Sequence, residues 1–142
     1  MSARPIASPP DPAPAATRVG HVHLKVADLD RAIAFYSGVL GFEVMQHYGT
    51  RAAFLGAGGY HHHVAMNSWN SRGAGPRATA LGLADVAIAL PGREDLDALT
   101  ARLSRAGLSF ADTGRSVRVE DPWGTPVTLS LPGTDTEELL AR

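Results

Sequence analysis

The sequence GHVHLKVADLDRAIAFYSGVLGFEV, residues 20–44, decides the fold expected of this chain. Its first seven residues alternate between apolar and polar side chains, which predicts a β-strand. The apolar face of this strand carries Val22, Leu24 and Val26, and the opposite face carries two imidazoles and an ammonium group, from His21, His23 and Lys25. Because the apolar face must pack against the core, functional side chains are expected on the polar face.

A helix is predicted directly after this strand. Asp28 is a typical N-terminal cap, and apolar residues then recur at helical spacing up to Leu40. Gly41 suits the left-handed backbone that ends many helices, and an extended pattern resumes at Phe42.

The same order of elements occurs twice. Residues 43–48, 51–55 and 60–69 are predicted strands of the first unit, and residues 70–81 are predicted to be a flexible linker or flap. The second unit is predicted as a strand at 83–90, a helix at 93–106 and strands at 108–111, 116–120 and 125–131. Two βαβββ units about 64 residues apart therefore organise the chain. The predicted divisions are a Pro/Ala-rich disordered tail (1–17), one domain (18–132, with modules at 18–69 and 82–132) and a short helical tail (133–142).

Composition excludes several functional classes. With 142 residues and a formal net charge of −1, the chain has no basic run suited to nucleic acid and no apolar run long enough to cross a membrane. It contains no cysteine, so disulfides, thiolate metal sites and a cysteine nucleophile are ruled out. The proline-rich start has no continuous apolar segment and is not a signal peptide. These features predict a cytoplasmic protein whose partner is a small molecule.

Three segments together resemble the vicinal oxygen chelate superfamily: DLDRAIAFYSGVLGFEV (28–44), GYHHHVAMNSW (59–69) and DPWGTPVTL (121–129). That family includes glyoxalase I, extradiol dioxygenases, and fosfomycin- and bleomycin-resistance proteins. The first half is most similar to catechol-2,3-dioxygenase-like members. The resemblance implies an α+β fold in which two βαβββ modules form a cup-shaped, half-open barrel. It also implies a homodimer, in which residues of one site come from two chains.

The resemblance further implies a metal site that is altered in this chain. His21 falls on the histidine ligand of the first module, whereas Asp85 replaces a second histidine and Thr128 replaces a glutamate. His63 could supply another imidazole, so His21, His63 and Asp85 form a permuted set of two histidines and one carboxylate. Such a set would hold one divalent ion (Fe, Mn, Zn or Ni), and a metal-free site is the alternative.

His21 and Asp85 are the predicted catalytic residues, because the resemblance places His21 at a metal-ligand position and Asp85 is a carboxylate on an otherwise apolar strand. The predicted substrate-binding residues are polar or aromatic side chains on strand faces away from the core: His23, Lys25, His61, Asn67, Trp69, Arg118, Thr128 and Ser130. Strand alternation predicts that His61 and His63 face the cup and that His62 faces away.

Three functions remain open from the sequence. The first is acid–base or metal-assisted chemistry on a small organic substrate, of the isomerase, lyase or cyclase type. The second is non-catalytic binding of a drug-like molecule. The third is extradiol ring cleavage with Fe(II) or Mn(II), which the replacement of the glutamate by Thr128 disfavours.

Overall fold

The computed structural model describes residues 21–78 and 81–134. The predicted tail at 1–17 and all but the first two residues of the predicted tail at 133–142 lie outside the described residues. Within the described residues, the α+β class and the two βαβββ modules predicted from the sequence are confirmed.

The first module contains β1 (Val22–Lys25), α1 (Leu29–Ile33) with a π-helical continuation (Ala34–Val39), β2 (Glu43–Tyr48), β3 (Ala52–Gly56) and β4 (Val64–Asn67). The second contains β5 (Val86–Ala89), α2 (Arg93–Arg105), β6 (Phe110–Asp112), β7 (Ser116–Glu120) and β8 (Pro126–Ser130).

Each module forms a four-stranded mixed sheet with the same topology. The strand orders are β1-β4-β3-β2 and β5-β8-β7-β6. The first strand of each module pairs in parallel with the last one, and the other pairs are antiparallel. In each module a helix and two strands connect the first strand to the last. This long connection lets the last strand run in the same direction as the first, so the two can pair in parallel. Each module therefore places its first and last strands side by side.

The first helix begins and ends where the sequence predicts. The side chain of Asp28 accepts a hydrogen bond from the Arg31 amide at 3.1 Å, and Gly41 adopts a φ of +92°. The π-helical turn was not predicted. In it, the Leu40 amide donates to the Phe35 carbonyl five residues earlier, at 3.0 Å.

Alternation along the strands separates a core face from an open face. Leu24, Val64 and Met66 belong to one apolar core that also includes residues of the second module such as Leu99 and Val127. On the opposite side of the first sheet, cross-strand register places two rows of residues: His23, Ala65 and Phe54, then Lys25, Asn67 and Ala52. We call this side the open face of the first sheet.

Polar contacts made by Tyr36 and Arg102 join the modules. The Tyr36 hydroxyl donates to Asp121 Oδ2 at 3.0 Å, and both residues are buried. Arg102 of α2 donates from Nε to the Val39 carbonyl at 2.8 Å and from a terminal nitrogen to the Leu40 carbonyl at 3.3 Å. The positive guanidinium thus satisfies carbonyl groups at the end of the first helix, where such groups lack helical partners.

The segment between the modules is tied to the domain along the part that the structure describes. Ser71 Oγ donates to the Val26 carbonyl at 2.8 Å, and the Gly73 amide donates to the Ala27 carbonyl at 3.0 Å. The Arg77 amide donates to the Trp123 carbonyl at 2.8 Å. These bonds place the segment beside β1 and the turn that follows β7.

Candidate functional site

The side chains of Asp85 and Thr128 meet at the start of the parallel strand pair of the second module. Thr128 Oγ1 donates to Asp85 Oδ2 at 2.9 Å. Thr128 is buried, and Asp85 Oδ1 is also buried but has no hydrogen-bond partner among the residues that the structure describes. Because a buried carboxylate oxygen without a partner is costly, this atom is the group most ready to accept a hydrogen bond or a proton from a ligand.

Further polar residues share this face of the second sheet. Arg118 lies opposite Thr128 in the β7–β8 register, and Ser130 lies opposite Ser116. Ala87 and Ala89 of β5 pair with Thr128 and Ser130 and are exposed. Small side chains at these two positions leave the surface next to the carboxylate accessible.

A second polar pair lies on the open face of the first sheet. His23 Nε2 is 2.7 Å from Asn67 Nδ2, and Asn67 Oδ1 accepts a hydrogen bond from the Trp69 amide at 3.1 Å. Since the amide oxygen is already engaged, Asn67 donates through nitrogen and His23 Nε2 accepts. With Nε2 as the acceptor, the N–H of the imidazole lies at Nδ1 and can donate to another group.

A cavity of about 510 Å³ extends from this face toward the second module. His23 and Lys25 line it from β1, together with Trp123 and Thr125 of the second module. Further lining residues come from the segment that precedes β5, including Arg77 and Leu83. The structure thus brings two predicted binding residues into one cavity with residues that precede Asp85 in the chain.

The three consecutive histidines do not follow strand alternation. Strand β4 begins at Val64, so these residues lie in the irregular segment before it. The ring centroid of His62 lies 5.2 Å from that of Phe54 and 4.8 Å from that of His21, and the Nδ1 atoms of His61 and His62 are 2.5 Å apart. The prediction that His62 faces away was wrong, because Phe54 belongs to the open face. Burial, and then neighbouring His61, lower the pKa of His62.

His63 turns in another direction. Its Nδ1 accepts a hydrogen bond from the Ala57 amide at 3.2 Å, and its ring lies 4.5 Å from that of Tyr60 and 6.3 Å from that of Phe42, measured between centroids. Residues 21–78 and 81–134 of one chain contain no group of three or more His, Asp or Glu side chains placed to hold a metal ion. The set of His21, His63 and Asp85 implied by the resemblance is not assembled within one chain.

Trp69 lies apart from the other predicted binding residues. It lines a separate cavity of about 280 Å³ with Arg51, Ser68, Asn70 and Arg72. A larger cavity of about 830 Å³ lies near the start of α1, where the Arg31 guanidinium stands 5.5 Å from the centre of the Trp123 ring.

Sequence reasoning missed Arg77, which lies in a stretch of Gly, Ala and Pro that shows no period. Its guanidinium donates to the carbonyls of Leu83 and Ala84, directly before Asp85. The available signal was the presence of two charged residues, Arg72 and Arg77, in a linker composed mostly of small residues.

Comparison with protein families agrees with this architecture. Residues 18–129 match the model of the Glyoxalase/Bleomycin resistance protein/Dioxygenase superfamily. The chain belongs to that superfamily. Membership confirms the resemblance drawn from the three sequence segments, since the match covers both modules.

Among curated relatives, the chain is similar to a catechol-2,3-dioxygenase of Bacillus subtilis (strain 168), with 47% identity over 108 residues. The match covers 75% of this chain and 38% of that protein. The chain therefore spans less than two fifths of the length of this relative.

Solved structures of other proteins share the fold at low sequence identity. A lactoylglutathione lyase from Agrobacterium tumefaciens aligns with a TM-score of 0.63 and 19% identity, over 84% of this chain and 96% of that one. A glyoxylase/bleomycin resistance protein/dioxygenase domain from Frankia sp. EAN1pec aligns with a TM-score of 0.65 and 24% identity, over 82% of this chain and 98% of that one.

Within the described residues, neither helix has the length and apolar character needed to span a membrane.

Proposed function

We propose that this superfamily member is an enzyme that acts on a small organic substrate by acid–base chemistry, with Asp85 as the general base. The observation that carries the proposal is the hydrogen bonding and burial of the two Asp85 carboxylate oxygens. One oxygen is fixed by the Thr128 hydroxyl at 2.9 Å, and the other is buried without a partner among the described residues. A base held in one orientation, with free lone pairs, is what proton abstraction requires.

The proposed reaction class is proton transfer at a carbon next to a carbonyl group, as in isomerases, lyases and cyclases. Asp85 would take the proton, and the charge that develops on the carbonyl oxygen would need a hydrogen-bond donor. The Nδ1–H of His23 and the ammonium of Lys25 are donors on the open face of the first sheet. Arg118, Ser130, His61 and Asn67 are proposed to shape the same substrate site.

A divalent metal does not fit the residues that the structure describes in a single chain. His63 is engaged with the Ala57 amide, and Thr128 directs its hydroxyl hydrogen to Asp85 instead of offering a charged ligand. The proposed acid–base chemistry therefore requires no metal ion. A homodimer in which His21 and Asp85 of one site belong to different chains is part of the proposal, and the mass of the protein in solution at micromolar concentration tests it.

The second candidate is ring-cleaving oxygenation, which is favoured by the 47% identity to a catechol-2,3-dioxygenase. The replacement of a carboxylate ligand by Thr128 weakens it, since a neutral hydroxyl donates little charge to Fe(II) or Mn(II). The third candidate is binding of a small molecule without catalysis.

Measuring the exchange of substrate α-protons with solvent deuterium distinguishes the acid–base function from the other two candidates. Untagged protein is incubated in D2O with a panel of small ketones and oxo acids, and loss of the α-proton signals is followed by NMR. Exchange by the wild type that is lost in Asp85→Asn supports the proposal, because asparagine keeps the shape of the side chain but cannot act as a base. Equal exchange by Asp85→Asn contradicts it.

The same preparations distinguish the other two functions. Oxygen uptake with catechols after incubation with Fe(II) or Mn(II), together with metal retained by the protein, supports the oxygenase. Binding of organic molecules without exchange or oxygen uptake supports the non-catalytic role.

A further inference from the structure

The 510 Å³ cavity beside β1 has an unusual charge distribution. Lys25 and Arg77 both line it, His23 contributes an imidazole, and none of its described lining residues is Asp or Glu. The chain as a whole carries a formal net charge of −1. The positive character is therefore local to this cavity.

Lys25 is the single lysine in the sequence, since the other twelve basic residues counted with it are arginines. Its side chain is exposed, and it forms no ion pair with any residue in the described ranges. An unpaired ammonium at a cavity wall can bind an anion without first breaking a protein contact.

Arg77 supplies a second positive charge to the lining of this cavity. Its guanidinium donates to the carbonyls of Leu83 and Ala84, and its amide donates to the Trp123 carbonyl. Bonds to neutral carbonyls fix the guanidinium in place but do not neutralise it. The two cations are thus supplied by different elements, β1 and the segment between the modules.

Apolar surface accompanies these charges. Leu83, Trp123 and Ala74 line the same cavity, and Leu83 is exposed. A cavity of this volume lies in the range that holds small organic ligands.

We propose that this cavity binds an organic anion, a carboxylate or phenolate with an aromatic or aliphatic body, whose charge pairs with Lys25 and whose body packs on Leu83 and Trp123. The inference goes beyond the role of Asp85, because it concerns the charge and shape of the ligand and holds whether or not a proton is transferred.

The single lysine allows a direct test. Reductive methylation of the full chain with 13C-formaldehyde labels Lys25 and the terminal amine, and methylation preserves the positive charge. The probes are 2-naphthoate and its neutral analogue 2-naphthamide, titrated against the labelled protein by 1H–13C NMR. We expect 2-naphthoate to shift the Lys25 methyl signal saturably and to bind about fivefold or more tightly than 2-naphthamide.

Variants of the unlabelled protein locate the site by ligand-observed NMR. Lys25→Met should weaken the binding of 2-naphthoate about fivefold and leave the affinity for 2-naphthamide unchanged. Arg105→Gln removes one positive charge from the exposed surface of α2 and should change neither affinity. Equal affinity for the two probes, or unchanged naphthoate affinity in Lys25→Met, would overturn the proposal.

Asp85→Asn separates this inference from the proposed function. Naphthoate binding should persist in that variant while proton exchange is lost. Exchange that depends on Asp85 without anion preference would refute the cavity proposal and leave the acid–base proposal standing.

Discussion

The hydroxyl of Tyr36, in the first module, donates a 3.0 Å hydrogen bond to the carboxylate of Asp121, in the second. The other carboxylate oxygen accepts from the amides of Trp123 and Thr125, both at 2.9 Å. One buried carboxylate thus orders the turn after β7 and binds it to the first helix. Since Trp123 and Thr125 also line the cavity beside β1, this contact links domain stability to the shape of the candidate site.

Replacing Tyr36 by phenylalanine should destabilise the domain by about 2 kcal/mol, because a hydrogen bond to a buried charge is lost while the ring still packs. Urea unfolding measures the change. Tyr60→Phe, at a half-exposed position, is the matched control and should stay within about 0.5 kcal/mol of the wild type. Similar stability of the two variants would contradict a structural role for the Tyr36–Asp121 bond.

Stability should also fall at alkaline pH because of Tyr36. Burial, followed by the charge of Asp121 and the hydrogen bond to it, raises the pKa of Tyr36 above its ordinary value of 10.0. In the unfolded chain this tyrosine ionises near its ordinary value, so above that pH the unfolded state binds fewer protons than the folded state and stability falls as pH rises.

The test of this pH dependence is to compare unfolding of the wild type and Tyr36→Phe from about pH 9 to about pH 11. The variant should lose stability less steeply across that range. Parallel curves for the two proteins would show that Tyr36 is not the group responsible.

Arg102 should contribute to the junction between the modules. Arg102→Met keeps most of the aliphatic contact but removes the bonds to the Val39 and Leu40 carbonyls, and should cost about 1.5 kcal/mol. Arg105→Met, on the exposed side of the last turn of α2, serves as the control. The free energy of unfolding of each variant is measured by urea titration. An equal loss of stability in both variants would argue against a stabilising contact between Arg102 and the two carbonyls.

Thr128 should act on catalysis through Asp85. Thr128→Val is close in shape but cannot donate to Asp85 Oδ2, so proton exchange should fall about tenfold to a hundredfold. Thr128→Ser keeps the hydroxyl and should retain most of the rate. The pH profile of exchange should shift in the valine variant only. If valine and serine reduce the rate equally, packing and not the hydrogen bond is responsible.

Much of the fold was predictable because it follows from local chemistry. The Asp28 cap, the helix end at Gly41 and the strands at 43–48 and 116–120 were assigned from neighbouring residues alone, and the structure confirms them. The π-helical turn was not predicted, because its apolar spacing is close to that of an α-helix. The histidine triplet was misassigned because alternation applies within a strand, and β4 begins after it.

The sequence by itself determined the two βαβββ modules, the family and the residue types able to bind or transfer protons, since periodicity, caps and motifs are encoded over short distances. Tertiary structure decided how those residues are grouped. It joined Asp85 to Thr128 and His23 to Asn67, each across more than 40 positions, and it separated His63 from both pairs. The reason is physical: side-chain contacts of this kind depend on strand register and on the path of the segment between the modules, which are fixed only when the whole core packs.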